Sequence, residues 1–443
     1  MAFSVLALLL SALASPVAAG TVVRTPAGAS YEFFLRAGQA GAKWNGNGSV
    51  TFTNVGSVPL NEVYLRVWSN GVRGCGVRSI VVSNLGGGSL TDERLRCTEL
   101  EVTLDAPLAV GASVAITFDL SISIPSIDDR FGVHRGLALA GTALPTLSIN
   151  DDAGWHRAPF ENLGESFYSL VSDYEVTFVT PRALDTAASG IVTDRTAVNG
   201  ERWRTTFTAS QVRDFAWAAG RLRRIVERAR GTDVVVWYQP GAVTPARARD
   251  LAADAARTVR TLGEAFGDYP YPEVDVVLAG RASFGGMEYP TIVFSEPSRI
   301  TMAHELAHQW FYGIVGNDQY AEPWLDESFA TWAMRLPFDP RKACRGIRWP
   351  SAGAALTNDM GYWSMHPGEY GLVYFGGACL LANLSQRFGH ERFLRIVGRY
   401  VQRHAMGIAR TEDFMRAIET AAAQHLPGFD AAAYWRHWRV DPA

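Results

Sequence analysis

Cysteine is scarce in this chain. Four residues in 443 are too few for the disulfide-dense scaffolds that stabilise small secreted domains. Cys75 with Cys97, and Cys344 with Cys379, are the pairings an oxidising compartment would allow, with free buried thiols as the alternative. A surplus of charge of either sign is also missing. Lys and Arg number 41 against 44 Asp and Glu, a formal net charge of -3, so no overall attraction to nucleic acid or to an anionic membrane is expected. Beyond the N-terminus no run is apolar enough to span a bilayer. The densest, Leu372 to Leu384, is broken by Gly376-Gly377 and reads as a core helix, so no stable membrane insertion of the mature protein is expected. No internal repeat or low-complexity tract interrupts the chain. With 48% hydrophobic and 19% charged residues, the length fits two or three ordinary globular domains.

The one apolar run of note is Val5 to Leu13, followed by the small residues Pro16-Val17-Ala18-Ala19. Residues 1–19 therefore read as a signal peptide cleaved after Ala19, although no Lys or Arg precedes the run, and the protein is expected to be exported to the periplasm or the extracellular space.

From residue 20 to about 230 the hydrophobic pattern has period two. Ile116, Phe118, Leu120 and Ile122 alternate with polar residues, as do Tyr174, Val176 and Phe178, and Gly- and Asn-rich breaks separate such runs. This predicts an antiparallel β-sandwich or saddle. From 231 to 443 the pattern becomes mixed α and β, then helical. Strands are predicted at Asp233 to Tyr238, Glu273 to Leu278 and Thr291 to Phe294. Helices are predicted from Thr244-Pro245, through Met302 to Gly313, from Trp324, and from Thr411 as the cap residue with Glu412 and Asp413 in the first turn.

His304-Glu305-Leu306-Ala307-His308 is an H-E-x-x-H sequence, and helical spacing puts both imidazoles on one face, able to share a zinc ion. Trp324-Leu325-Asp326-Glu327-Ser328-Phe329-Ala330 reads as the start of a further helix on which Glu327 supplies a third ligand, leaving a fourth position open, as a catalytic site requires. A third histidine of the metzincin kind is excluded, because Phe311 and Ile314 stand where its glycine and histidine would be. Glu322 and Asp326 are candidates to orient a zinc-bound imidazole.

On these motifs the chain resembles the aminopeptidase N family of gluzincin zinc metallopeptidases. In that family the third ligand follows H-E-x-x-H after eighteen residues, the length of Gln309 to Asp326, and W-L-N-E-G-F-A matches Trp324 to Ala330 with Asp326 for Asn and Ser328 for Gly. The family's G-x-M-E-N is approximated by Gly285-Gly286-Met287-Glu288-Tyr289, with Tyr289 for Asn. Its catalytic tyrosine matches Tyr374, with Gly376 in place of Lys; Tyr370 and Tyr362 are the competitors. The family's glutamine motif late in the β domain has no evident counterpart, and Glu161 and Glu165 are the residues that would stand in.

The resemblance implies a β-saddle domain at 20–230 followed by a thermolysin-like catalytic domain at 231–443, without the large C-terminal helical domain of many relatives and therefore with a more open cleft. It further implies one zinc per chain on His304, His308 and Glu327, Glu305 as general base, Tyr374 as donor to the oxyanion, and Gly285, Gly286, Met287 and Glu288 at the substrate, with Glu288 holding the α-ammonium of a peptide. The expected activity is removal of the N-terminal residue from peptides with a free N-terminus. The alternatives are a zinc endopeptidase or other zinc hydrolase, and a non-catalytic binding protein with a relict zinc site.

Overall fold

Alternation along Ala27–Ala37 buries Ala29, Tyr31, Phe33, Leu35 and Ala37 and leaves the intervening side chains outside, and the same rule builds the first half of the molecule. The computed structural model describes residues 23–95, 97–280, 282–340, 344 and 347–441; the apolar N-terminal run and its expected cleavage after Ala19 lie outside them. A seven-stranded sheet runs in the order Ile191–Val198, Arg202–Val212, Ser172–Pro181, Ala27–Ala37, Lys43–Thr53, Ser113–Ser123, Ile80–Gly86. Its pairs are antiparallel except that of Ala27–Ala37 with Ser172–Pro181, which is parallel. Against it packs a four-stranded sheet of Thr146–Leu147, Leu60–Arg66, Glu99–Leu108 and Gly88–Arg94. The shared core joins Tyr31, Phe33 and Phe118 of the one to Val63, Leu65 and Val102 of the other, which is a sandwich. Cys75 and Cys97 are free thiols, so the disulfide considered between them is not formed.

The mixed sheet of the second half begins earlier than residue 231. Arg223–Ala229 pairs antiparallel with Thr232–Tyr238, which runs parallel to Glu273–Leu278 and that in turn to Ile292–Ser295, with the short Gly286–Met287 antiparallel at the far edge. The edge strand reads Arg-Arg-Ile-Val-Glu-Arg-Ala and is mostly exposed, so its pattern differs little from that of the preceding β strands.

Eight α-helices follow among the described residues: α1 (Pro245–Phe266), α2 (Arg299–Ala307), α3 (Trp324–Ala333), α4 (Met360–Met365), α5 (Gly377–Phe388), α6 (His390–His404), α7 (Thr411–His425) and α8 (Ala431–Trp438). Thr244 caps α1, its hydroxyl taking the Arg247 N–H, and Ala248, Leu251, Ala252, Ala255, Val259 and Leu262 form the buried stripe laid on the sheet. For α7 the cap position is Arg410, whose N–H is held by Asp413 at 3.0 Å, while the expected cap Thr411 is the first helical residue and its hydroxyl accepts the Trp324 indole N–H at 2.9 Å. Cys344 and Cys379 form a disulfide that ties residue 344 to α5. No helix of the described residues is long and apolar enough to cross a membrane.

A third core joins the two halves. Leu137, Leu139, Ala187, Ala218 and Leu222, from the sheet of Asp185–Ala188, Trp217–Gly220, Leu137–Ala140 and Phe131–His134 and its flank, close on Val277, Met287, Tyr289, Ile292 and Phe294 of the mixed sheet. This contact sets the strands of the mixed sheet against the β region.

Candidate active site

Ser298 caps α2 through its hydroxyl, and the helix carries His304 and Glu305 before ending at Ala307. It stops six residues short of the expected Gly313. Gly313, Ile314 and Val315 instead donate to the carbonyls of His308, Gln309 and Trp310, a wider turn that aims the Phe311 carbonyl at His308 Nδ1, 3.0 Å away. Tyr312 is held there at φ 131°, with its carbonyl 2.6 Å from Arg213 Nε and its hydroxyl 2.7 Å from Asp214. Backbone strain of this kind persists only where the surroundings enforce it, and here a buried arginine and aspartate do so.

Helix α3 is buried along its whole length and brings Glu327 to the two histidines. His304 Nε2 lies 3.1 Å from His308 Nε2, and Glu327 Oε2 lies 3.0 Å from the first and 3.5 Å from the second. A tetrahedral zinc ion with bonds of about 2.0–2.1 Å has ligand atoms roughly 3.3 Å apart, so these three atoms bracket the required spacing. The donor set of two imidazoles and a carboxylate fits zinc.

What orients the imidazoles differs from expectation. Glu322 accepts the Thr411 N–H at 2.8 Å, and Asp326 takes Gln319 Nε2 at 2.7 Å and the Glu327 N–H at 2.9 Å; neither contacts a histidine. The groups that do are the Phe311 carbonyl at His308 and the Thr331 hydroxyl, 3.5 Å from His304 Nδ1. Thr331 lies four residues after Glu327 and shares its face of the helix, whereas the residue before Glu327 points elsewhere. With its Nδ1 taken in this way, each ring turns Nε2 toward the cleft.

Glu305 projects from α2 toward the Gly286 backbone. A Cβ at position 286 would lie 2.2 Å from Glu305 Oε1, so only glycine leaves room for this carboxylate. Burial pushes the Glu305 carboxyl well above the usual range; His308 opposes the shift, and Glu288, Glu327 and Glu165 add to it. Glu288 follows the short edge strand and is buried, with Oε1 accepting Gln319 Nε2 at 3.0 Å. Its turn is braced by Gln309, which donates to the Tyr289 carbonyl at 3.0 Å and accepts the Thr291 N–H and the Tyr269 hydroxyl, both at 2.8 Å.

Met287 does not line the cleft, contrary to expectation. Strand alternation turns it into the third core, where its sulfur lies 3.3 Å from Arg130 Nη1. Tyr289 is likewise fully buried, and its hydroxyl faces Gly141 so closely that a Cβ there would come within 1.8 Å. The tyrosine that replaces asparagine thus serves the packing between the two halves.

Tyr374 stands on a widened turn, Leu372–Gly376, ahead of α5, and its hydroxyl donates to Glu327 Oε1 at 2.9 Å. That turn is fixed to α3 by Ser328, whose hydroxyl donates to the Val373 carbonyl at 2.5 Å and fills the space a side chain at Gly377 would need. Of the competing tyrosines, Tyr370 packs behind Tyr374 with ring centroids 5.4 Å apart, and Tyr362 donates to Glu369 at 2.9 Å; neither lines the cleft.

The cleft has a volume of about 290 Å³ and takes the β region as one wall. Glu165 enters it, paired with Arg130, and Glu161 does not, being bonded to Ser364 at 2.7 Å. Burial raises the Glu165 carboxyl to about 8, with Glu288 adding and Arg130 opposing. The Arg130 guanidinium is held over the Phe167 ring at 5.5 Å and donates to the Gly164 carbonyl at 3.1 Å. Phe160, Leu163 and Phe284 supply the apolar part of the wall.

Fold and donor set together are those of a zinc-peptidase catalytic domain seated against a β-saddle. Residues 253–343 match the peptidase family M1 domain. The chain is 26% identical to aminopeptidase 2 of Candida albicans over 341 residues, covering 63% of this chain and 37% of that protein. It is 29% identical to aminopeptidase N of Streptomyces lividans over 231 residues, covering 42% of this chain and 26% of that protein. Among solved structures, an M1 zinc metallopeptidase from Deinococcus radiodurans superposes with a TM-score of 0.65 at 19% identity, covering 95% of this chain and 94% of that one. Over these stretches the chain is similar to members of peptidase family M1. It spans about a quarter to under two fifths of the length of these curated relatives.

Proposed function

We propose that this protein is a zinc-dependent aminopeptidase that removes the N-terminal residue of peptides. The observation that carries the reading is the convergence of His304, His308 and Glu327 on one point, with Glu305 and Glu288 beside it; Glu288, Glu305 and His308 each present a polar atom within 4.8 Å of the others. One zinc ion per chain would be held by His304, His308 and Glu327. When bound there, it supplies Lewis acidity toward a water and a peptide carbonyl.

The remaining work belongs to the chain. Glu305, held against Gly286 on the floor of the cleft, takes a proton from the attacking water and returns it to the leaving amine. Tyr374 donates a hydrogen bond to the oxyanion of the tetrahedral intermediate. Glu288, with Glu165 on the opposite wall, pairs with the α-ammonium group and so places the first peptide bond, and no later one, at Glu305. Gly285 and Gly286 let the substrate backbone approach the edge strand.

The reading on assignment of the base is tested by Glu305→Gln. Zinc content should stay at one per chain while hydrolysis falls at least about 100-fold; a variant with full activity would exclude Glu305 as the base. Export from the cell is part of the proposal, supported by the N-terminal run and by the Cys344–Cys379 disulfide, a bond that persists in oxidising compartments.

A further inference from the structure

A second cleft, of about 590 Å³, lies on the face of the mixed sheet turned away from α1, and none of its lining residues is shared with the catalytic cleft. Its origin is in the strand sequences. Along Glu273–Leu278, Val274, Val276 and Leu278 pack toward α1, and Glu273, Asp275 and Val277 point the other way. Val277 is sealed in the third core, but Glu273 and Asp275 face the cleft with Trp237 of the neighbouring strand. The far wall comes from the β region, through Asp185, Val192, Arg195 and Phe207.

Asp275 is the unusual member. It occupies an inner strand of the sheet, is only 3% exposed, and one of its oxygens accepts the Trp237 indole N–H at 2.7 Å. Among the described residues no cation pairs with it, and nothing in peptide hydrolysis calls on it. Burial holds its carboxyl well above the usual range and Glu273 adds to this, while the Trp237 N–H and Arg224 oppose it. A buried carboxylate without an ionic partner is costly, and an apolar residue at this position would avoid that cost. The cleft is lined by three carboxyl groups, Asp185, Glu273 and Asp275, and by three guanidiniums, Arg195, Arg223 and Arg224, so groups of both kinds face the same space. Arg224 Cζ lies 5.6 Å from the centroid of the Trp237 ring, so one cation of the chain already stands against this aromatic side chain. The volume is in the range of small-molecule sites.

We propose that this cleft binds a small zwitterion of the amino-acid type, with its cationic group at Asp275, Glu273 and the Trp237 ring and its carboxylate toward Arg223 and Arg195. The ammonium supplies the charge that Asp275 lacks, and the guanidiniums on the rim receive the opposite end. The site is separate from catalysis and stands whether or not the aminopeptidase reading does.

Calorimetric titration tests it on the full chain carrying Glu288→Gln, so that the amine anchor of the catalytic cleft does not contribute. The probes are L-lysine, butylammonium and butyrate. L-lysine should bind saturably and most tightly, butylammonium more weakly, and butyrate not measurably. Adding Asp275→Asn should raise the Kd for L-lysine at least about tenfold. Should that variant fail to fold, Val192→Trp, at an exposed edge position, fills the cleft without touching the carboxylate and should abolish binding. Absence of saturable L-lysine binding, binding unchanged by both substitutions, or equal affinity for butyrate would each overturn the proposal.

Discussion

Gln319 Nε2 lies 3.0 Å from Glu288 Oε1. The same nitrogen reaches Asp326, the residue before the third zinc-site side chain, at 2.7 Å. One amide therefore sets the distance between the group assigned to the substrate amine and the helix that carries Glu327. A hydrogen bond to a charged group contributes about 1.5–3 kcal/mol, so Gln319→Leu should lower kcat/KM by about 10- to 100-fold. Most of that loss should appear as a higher KM for free-amine substrates, measured by steady-state kinetics, with zinc content unchanged.

Gly286 makes a sharper case. A methyl group there would occupy the space of the Glu305 carboxylate, 2.2 Å from Oε1. Gly286→Ala should cut kcat by about 100-fold or more through displacement of the base. Thermal stability and zinc content should change little, because the edge strand stays paired with Ile292–Ser295.

Thr331 orients His304 from outside the cleft. Thr331→Val keeps the volume and removes the hydroxyl, and zinc affinity measured by competition with a chelator should fall about tenfold. Thr331→Ser should restore most of it, a result that a purely space-filling role would not produce.

Stability should depend on pH through His156. Its Nε2 is 2.9 Å from Asp151 and its Nδ1 is 3.6 Å from Asp318, and these carboxylates, Asp318 foremost, raise its pKa against the opposing effect of burial. The folded value is above the unfolded one, so the contribution is fully present below the unfolded pKa of about 6.5 and is lost as pH rises through the folded value. Asp151 is held below its usual range by His156, despite burial, so its contribution is lost only at strongly acid pH. Melting temperature should therefore decline from about pH 6 to about pH 8 more steeply in the wild type than in His156→Gln.

The parts of the site legible in the sequence were those with fixed local spacing. His304, Glu305 and His308 lie within one helical turn and a half, and Glu327 is recognisable because Trp324, Leu325 and Phe329 mark its helix as buried. Glu288 could be read from its glycines. What the sequence hid were backbone and long-range partners. The Phe311 carbonyl has no side-chain signature, and the end of α2 at Ala307 is marked by neither Gly nor Pro. Arg130 and Glu165 reach the cleft only because Leu137, Leu139 and Ala218 pack on Val277 and Phe294. Glu165 and Glu161 have equal standing in the sequence, and the fold turns one into the cleft and the other to Ser364. For the strands, Glu273–Leu278 was readable to the residue from its run of valines, whereas charged, exposed Arg223–Ala229 gave no sign of the sheet it joins.

The central claim is that the cleft selects a free N-terminus and cuts beside it. It is tested most directly by comparing an aminoacyl reporter substrate with its N-acetylated form on the zinc-loaded protein, in parallel with Glu288→Gln. Acetylation removes the charge that Glu288 pairs with, so the acetylated substrate should be turned over at least about 100-fold less well, and the wild-type preference should largely disappear in the variant. Equal turnover of the two substrates by the wild type would contradict the account.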